Sequence, residues 1–264
     1  ALSGGVYVYN LDAAPYTGRL RFICITKEWE TALGVSAAES ERKKWKKRIL
    51  PPDDPRSQAL VRVGRRVAAV TGETGLDWEF TVVDAPVANA FVLPGGKVFV
   101  FTGLLKILPN EETLAAVVAH EAAHATQRHM AEKVSLRLLF FALVFYGWDL
   151  SSLSPWWNLA LTLPNSRALE EEADIVGLEF MCDACYDPRN APLLFARMHS
   201  AAGGSAGPEW LSTHPSHTHR VHTLRRVIDE RQLVQRYESK CGEEIRRLRK
   251  AKAALEARKK RATP

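Results

Sequence analysis

At 264 residues, with 46% apolar and 25% charged side chains, the chain can bury a substantial core as one large or two small domains, which excludes a disordered polypeptide. The net charge of +6 is local: residues 246–261, RRLRKAKAALEARKKR, hold nine Lys/Arg and one Glu, a net +8, which leaves the rest at −2. Four cysteines (Cys24, Cys182, Cys185, Cys241) are too few for a disulfide-built scaffold. The chain opens on Ala1 with no secretory apolar region, as expected of a processed product.

In chain order, GRLRFICI reads as a short strand near the N-terminus. Residues 37–49 and 55–71 read as helices, the second starting after PPDDP as cap and first turn. WEFTVVD (78–84) has strand composition. NAFVLPGGKVFVFTG (89–103) gives two apolar runs about Pro94-Gly95-Gly96, a turn between one strand and a second, exposed strand. From Glu111, after Pro109-Asn110, one long helix is predicted to run towards Gly147, with further helices at about 166–185, 191–202, 217–236 and 242–261. Many helices and a small sheet make an α+β fold. The expected organisation is an N-terminal strand and helical segment (1–75) packing on a catalytic domain (76–236), then a basic C-terminal helix (237–264).

The helix from Glu111 carries AAVVAHEAAHATQRH (115–129). Residues four apart share a helix face, so His120 and His124 can offer two imidazole nitrogens to one ion. Glu121, turned by roughly 100° from His120, borders the site without being a ligand. That is the arrangement of an H-E-x-x-H metallopeptidase, whose carboxylate deprotonates a zinc-activated water. His129, five after His124, lies about 140° round the helix and is expected not to be a ligand. A catalytic zinc needs a third protein ligand, and NSRALEEEADIVGLEF (165–180) supplies Glu170, Glu171, Glu172 and Asp174. Glu170 and Asp174 share a face; one can bind the metal while the other fixes the tautomer of a ligand histidine. Glu171 reads as solvated.

His120-Glu121-x-x-His124 followed by Ser166-Arg167-x-x-Glu170-x-x-Ala173-Asp174 resembles the HtpX/CAAX-prenyl-protease family of zinc metalloendopeptidases. The resemblance implies a mainly helical zincin with one zinc per chain, Glu170 as third ligand and Asp174 behind a ligand histidine. NAFVLPGGKVFVFTGLL is similar to that family's edge strand, which lines the cleft and pairs with extended substrate; it implies a substrate strand at Lys97, Val98, Phe99 and Val100. EWLSTHPSHTHRV resembles a His-Pro-x-x-x-x-Arg element, here His214, Pro215 and Arg220, implied to steady the developing oxyanion. Within the family the likeness is greatest to mitochondrial inner-membrane enzymes. It implies a stress-activated endopeptidase cutting membrane-anchored or misfolded proteins at that membrane, with Glu121 as the base.

Other features fit this frame less tightly. His217, His219 and His222 read as exposed imidazoles. Cys182-x-x-Cys185 is expected as reduced, partly buried thiols, with a disulfide as the alternative. LLFFALVFYGW (138–148) is too short to span a bilayer at about 20 residues and has the length of a core helix; its apolarity with Trp148, Trp156 and Trp157 nearby also fits a membrane surface, and the resemblance implies that membrane contact over 138–157. The basic tail fits a solvated helix end or attraction to anionic lipid. No aromatic stacking pattern accompanies it, so nucleic acid is not an expected partner; a homo-oligomer fits equally. A zinc-stabilised scaffold is the competing reading, and the retained Glu121 counts against it.

Overall fold

The computed structural model describes residues 2–145, 154–201, 209–210, 214, 220–243, 246–247 and 250. After α1 (Leu2–Tyr9), strands β1 (Leu11–Ala13) and β2 (Leu20–Phe22) pair as an antiparallel hairpin. Helix α2 (Lys27–Lys44) starts ten residues earlier than the predicted 37. The Thr26 side chain accepts from the Trp29 amide at 3.2 Å, and Glu28 and Glu30 complement the first turn. Helix α3 (Pro55–Ala68) begins as expected, with Asp54 as cap and Pro55 in its first turn.

The sheet corrects one expectation. Strands β3 (Glu79–Val83), β4 (Ala90–Leu93) and β5 (Lys97–Phe101) lie in the order β3-β5-β4, so β5 is central. It pairs in parallel with β3 and antiparallel with β4, and all five of its residues are buried. Lys97, Val98, Phe99 and Val100 therefore cannot form the substrate edge, because their backbone groups are already paired on both sides. KVFVF is a continuous apolar run after its lysine, as a strand covered on both faces requires. The edge that faces the cleft belongs to β4. Between β4 and β5, Gly95 and Gly96 take φ of +81° and +83°, a region closed to most side chains.

A one-turn helix α4 (Thr102–Leu105) leads into α5 (Glu111–Thr126). Asn110 caps α5 by accepting from the Thr113 amide at 3.0 Å, and every residue from Thr113 to His124 is buried. A helix covered on all sides is a core element. It packs on α3, β4, α7 (Ser154–Asp183) and α8 (Asn190–Ala201). Against α7 it packs tightly at Gly177, where a Cβ would stand 3.2 Å from the His120 nitrogen. The predicted single helix from Glu111 to Gly147 is instead two, α5 and α6 (His129–Phe145). Arg128 breaks it with φ +51°, held there by bonds from its guanidinium to Glu30 (2.7 Å) and the Ile25 carbonyl (3.2 Å).

The predicted helix at 217–236 is likewise divided. Helix α9 (Arg220–Glu230) ends before Gln232, at φ +52°, and helix resumes at 233–243. The main core cluster joins Leu60, Val63 and Val67 of α3 to α5, α7, α8, α9 and Trp210. Of the thiols, Cys185 is bonded to Cys241, while Cys182 is free and buried. This corrects the expected reduced pair: the partner of Cys185 comes from the 233–243 helix, which sequence spacing could not foresee.

The predicted membrane contact at 138–157 is visible only at its start, where Leu138 and Phe141 are exposed on α6. Trp148 and the side chains of Trp156 and Trp157 lie outside the described residues, as does the tail beyond residue 250. Among the described residues no helix is long and apolar enough to cross a membrane.

Candidate metal centre

Helix α5 presents His120 and His124 from one face towards α7, and α7 answers with Glu170 and Asp174. The two Nε2 atoms stand 3.1 Å apart. Glu170 Oε2 is 3.3 Å from His120 Nε2, and Oε1 is 3.4 Å from His124 Nε2. His214 completes the group, its Nδ1 being 2.9 Å from Glu170 Oε2 and 3.3 Å from His120 Nε2. The four ligand atoms lie within 4.8 Å of one another and all four residues are buried. A tetrahedral ion at about 2.0–2.1 Å from each ligand would hold them roughly 3.4 Å apart, so the donor set and its spacing fit zinc. Two imidazole nitrogens facing each other at this distance need either a hydrogen or a cation between them.

The charges agree. Burial opposes ionisation of Glu170, yet His124, His120 and His214 around it hold the carboxyl far below the ordinary range. Burial likewise works against charge on His120, but Asp174 and Glu170 outweigh it and raise the imidazole to about 9. For His124 burial wins, and its pKa falls well below the usual value. The facing rings thus differ in their readiness to carry a proton, and the ionised Glu170 beside them supplies the negative charge that suits a divalent ion.

Behind the ligands, Asp174 takes His120 Nδ1 at 3.1 Å, leaving Nε2 for the metal. Arg220 donates to both Asp174 oxygens, from Nε at 2.5 Å and Nη2 at 2.6 Å, while its guanidinium lies 3.9 Å over the Phe195 ring. Arg220 was expected over the cleft as an oxyanion donor. It sits instead behind His120, its donors occupied by Asp174 and the His214 carbonyl. His214 also departs from expectation: its Nδ1 lies among the other three donor atoms, where an open position was foreseen. Pro215, His217 and His219 lie outside the described residues, and His222 is exposed.

Glu121, 1% exposed, borders the four-residue cluster without belonging to it. Its Oε1 accepts from Trp210 Nε1 at 2.9 Å and lies 3.4 Å from His214 Nε2. The cleft beside it is lined by Phe91, Val92 and Leu93 of β4, together with His124 and His214. Sequence reasoning missed Trp210 altogether, since a tryptophan four before a histidine carries no metal signal. It also missed the use made of His129. That residue is not a ligand, but its Nδ1 lies 2.7 Å from His124 Nδ1 and its Nε2 3.0 Å from Glu172 Oε2. Glu171 is exposed, as expected.

Residues 54–228 match peptidase family M48. The chain is similar to the mitochondrial metalloendopeptidase OMA1 of Schizosaccharomyces pombe, 41% identical over 249 residues that cover 91% of this chain and 73% of that protein. It is similar to the mitochondrial metalloendopeptidase OMA1 of Homo sapiens, 35% identical over 85% of this chain and 47% of the relative. A more distant likeness is to the beta-barrel assembly-enhancing protease of Escherichia coli, 29% identical over 60% of this chain and 36% of the relative.

Proposed function

The chain belongs to peptidase family M48 and is by that membership a zinc-dependent metalloendopeptidase, and we propose that it cuts membrane-anchored or misfolded proteins in stress-activated quality control at the mitochondrial inner membrane. Its relatives are named as mitochondrial, and the same compartment follows for this chain by resemblance. The observation that carries the chemistry is the convergence of His120, His124, Glu170 and His214 beside a buried carboxylate that is not one of them.

His120, His124 and Glu170 would hold zinc, which would supply the Lewis acidity that acidifies a water and polarises the scissile carbonyl. Glu121 takes the proton from the attacking water and passes it to the leaving amine. Trp210 holds that carboxylate in place through its indole N–H. His214 Nδ1 lies among these donor atoms, so on this reading turnover would require its ring to swing aside and admit a water. Asp174 and Arg220 act through His120 by fixing its tautomer and angle. An extended substrate pairs with the free edge of β4, residues 90–93, antiparallel to it and across the mouth of the cleft. Backbone pairing of this kind tolerates many side chains.

The membrane contact through 138–157 and the basic tail, and homo-oligomer formation, belong to the same proposal. The exposed Leu138 and Phe141 on α6 support the first. Liposome flotation and light scattering check the two, and a chain wholly in the unbound fraction would remove the membrane contact. For the chemistry, the test is metal analysis together with cleavage of a panel of mitochondrial membrane proteins. Glu121→Gln should keep one equivalent of zinc and lose hydrolysis by at least about 100-fold. Retained hydrolysis would contradict the base assigned here.

A further inference from the structure

His124 has two ends. Its Nε2 faces the cluster, and its Nδ1 meets His129 Nδ1 at 2.7 Å. A ring that binds metal through Nε2 keeps its hydrogen on Nδ1 and donates it, so His129 Nδ1 must accept. The hydrogen of His129 then sits on Nε2 and goes to Glu172 Oε2, 3.0 Å away. This chain of donors runs in one direction only while Glu172 stays in place as a pure acceptor.

What holds Glu172 is a residue more than 150 positions earlier in the chain. Arg19, from the connection between β1 and β2, gives Glu172 Oε2 two hydrogen bonds, from Nε at 3.0 Å and Nη2 at 2.8 Å. The same guanidinium is bidentate on Glu132 of α6, at 2.9 and 2.6 Å. Thr17 donates to the other oxygen of Glu172. His129, Glu132 and Glu172 are all buried, at 2%, 3% and 5% exposure. Both carboxylates reach the same Nη2, and among the described residues Arg19 is the lysine or arginine that contacts either one. Two buried negative charges so close repel strongly once their shared cation is gone. Glu172 would then withdraw from His129.

We propose that Arg19 is a positioning residue for the metal centre, acting through Glu172 and His129 to orient the ring of His124. The N-terminal hairpin is thereby a working part of the metal site. The inference rests on the metalloprotease reading. Its particular content is that the charge of Arg19, set against Glu132 and Glu172, controls how firmly the metal is held. The hairpin itself has other anchors. Arg21 donates to the Gln127 carbonyl and to Asp12, the Cys24 amide donates to Ser135 at 2.9 Å, and Ile23 and Ile25 pack on Ala131. Replacing Arg19 therefore leaves the hairpin docked.

The experiment measures metal affinity by competition with a fluorescent zinc chelator, and coordination from the visible spectrum of the Co2+-loaded protein. Wild type should bind one equivalent. Arg19→Met should weaken binding by about 10–100-fold and shift the Co2+ bands. Adding Glu132→Gln to it, which restores the charge balance, should recover most of that loss. Arg21→Met, which loosens the hairpin without touching Glu172, should cost less than about threefold. Should Arg19→Met fail to fold, Thr17→Val carries the test, with a loss of about threefold or more. Affinity within twofold of wild type for Arg19→Met, or for Thr17→Val in its stead, overturns the proposal. So does an Arg21→Met loss equal to that of Arg19→Met with no recovery by Glu132→Gln, since Arg19 would then be a mere anchor. A wild type that binds no metal overturns the metalloprotease reading itself and this inference with it.

Discussion

Replacing Asp174 by Asn isolates one charge at the back of the site. Asp174 is buried, and its two oxygens receive the Arg220 donors at 2.5 and 2.6 Å and the His120 ring at 3.1 Å. Arg220 lies over the carboxylate and drives it well into its ionised form, against the burial that would raise it. Asparagine keeps the shape and still offers an oxygen to His120, but leaves a buried guanidinium without its counter-charge. Breaking a buried pair from one side costs about 3–5 kcal/mol. At roughly 2–4 °C per kcal/mol for a chain of this size, the melting temperature should fall by about 10 °C. The assay is calorimetry with excess chelator, so that loss of metal does not add its own linkage to the shift. Arg220→Met in the Asp174→Asn background should recover about 2 kcal/mol, because the stranded charge is gone. An Asp174→Asn protein melting within 2 °C of wild type, with unaltered zinc affinity, would refute the reasoning: Asp174 would be neither the counter-charge of Arg220 nor the orienter of His120.

Gly177→Ala should be mild for stability and harmful for metal. The added Cβ meets His120 N at 3.2 Å, an overpacking cost of about 1–3 kcal/mol against a helix gain of about 1, while the displaced His120 should weaken zinc by roughly tenfold on chelator titration. Alkaline unfolding should trace in part to Tyr186, whose phenol burial pushes up to about 12. A raised pKa means its contribution is whole below the unfolded value near 10 and is lost as pH rises through 12; at pH 11, allowing for screening, about 1 kcal/mol is gone. Tyr186→Phe should flatten that part of the profile in urea titrations run from pH 9 to 11, and an unchanged slope would assign it elsewhere.

The legible part of the fold was what local chemistry decides. Asn110 with Glu111 and Glu112, Asp54 with Pro55, and Pro94-Gly95-Gly96 each mark a boundary that the structure keeps, because a cap or a positive φ is settled within a few residues. The misplaced boundaries were settled at a distance. Nothing near Arg128 in the chain breaks the helix; Glu30 and the Ile25 carbonyl do, about 100 residues earlier. The order of the sheet was hidden for a related reason. A buried central strand and an exposed edge beside a cleft can both be short and apolar, and only pairing with β3 on its far side makes KVFVF central.

The site divides along the same line. His120, Glu121 and His124 were readable because three roles fall on one helix with a period that geometry dictates. Glu170 and Asp174 were readable as a face, and their separate duties came from resemblance. The assignment of Arg220 went astray because its element fixes no distance. A cation near a zinc peptidase site suits an oxyanion as well as an aspartate, and the choice follows from Asp174 being the deeper and already ionised partner. The polar residues that back the ligands are scattered, Arg19 in the hairpin, His129 on α6, Glu172 on α7 and Trp210 elsewhere, each looking ordinary in its own stretch. A buried ion demands that every facing donor and acceptor be satisfied in turn, and the chain meets that demand from wherever its fold brings a side chain close.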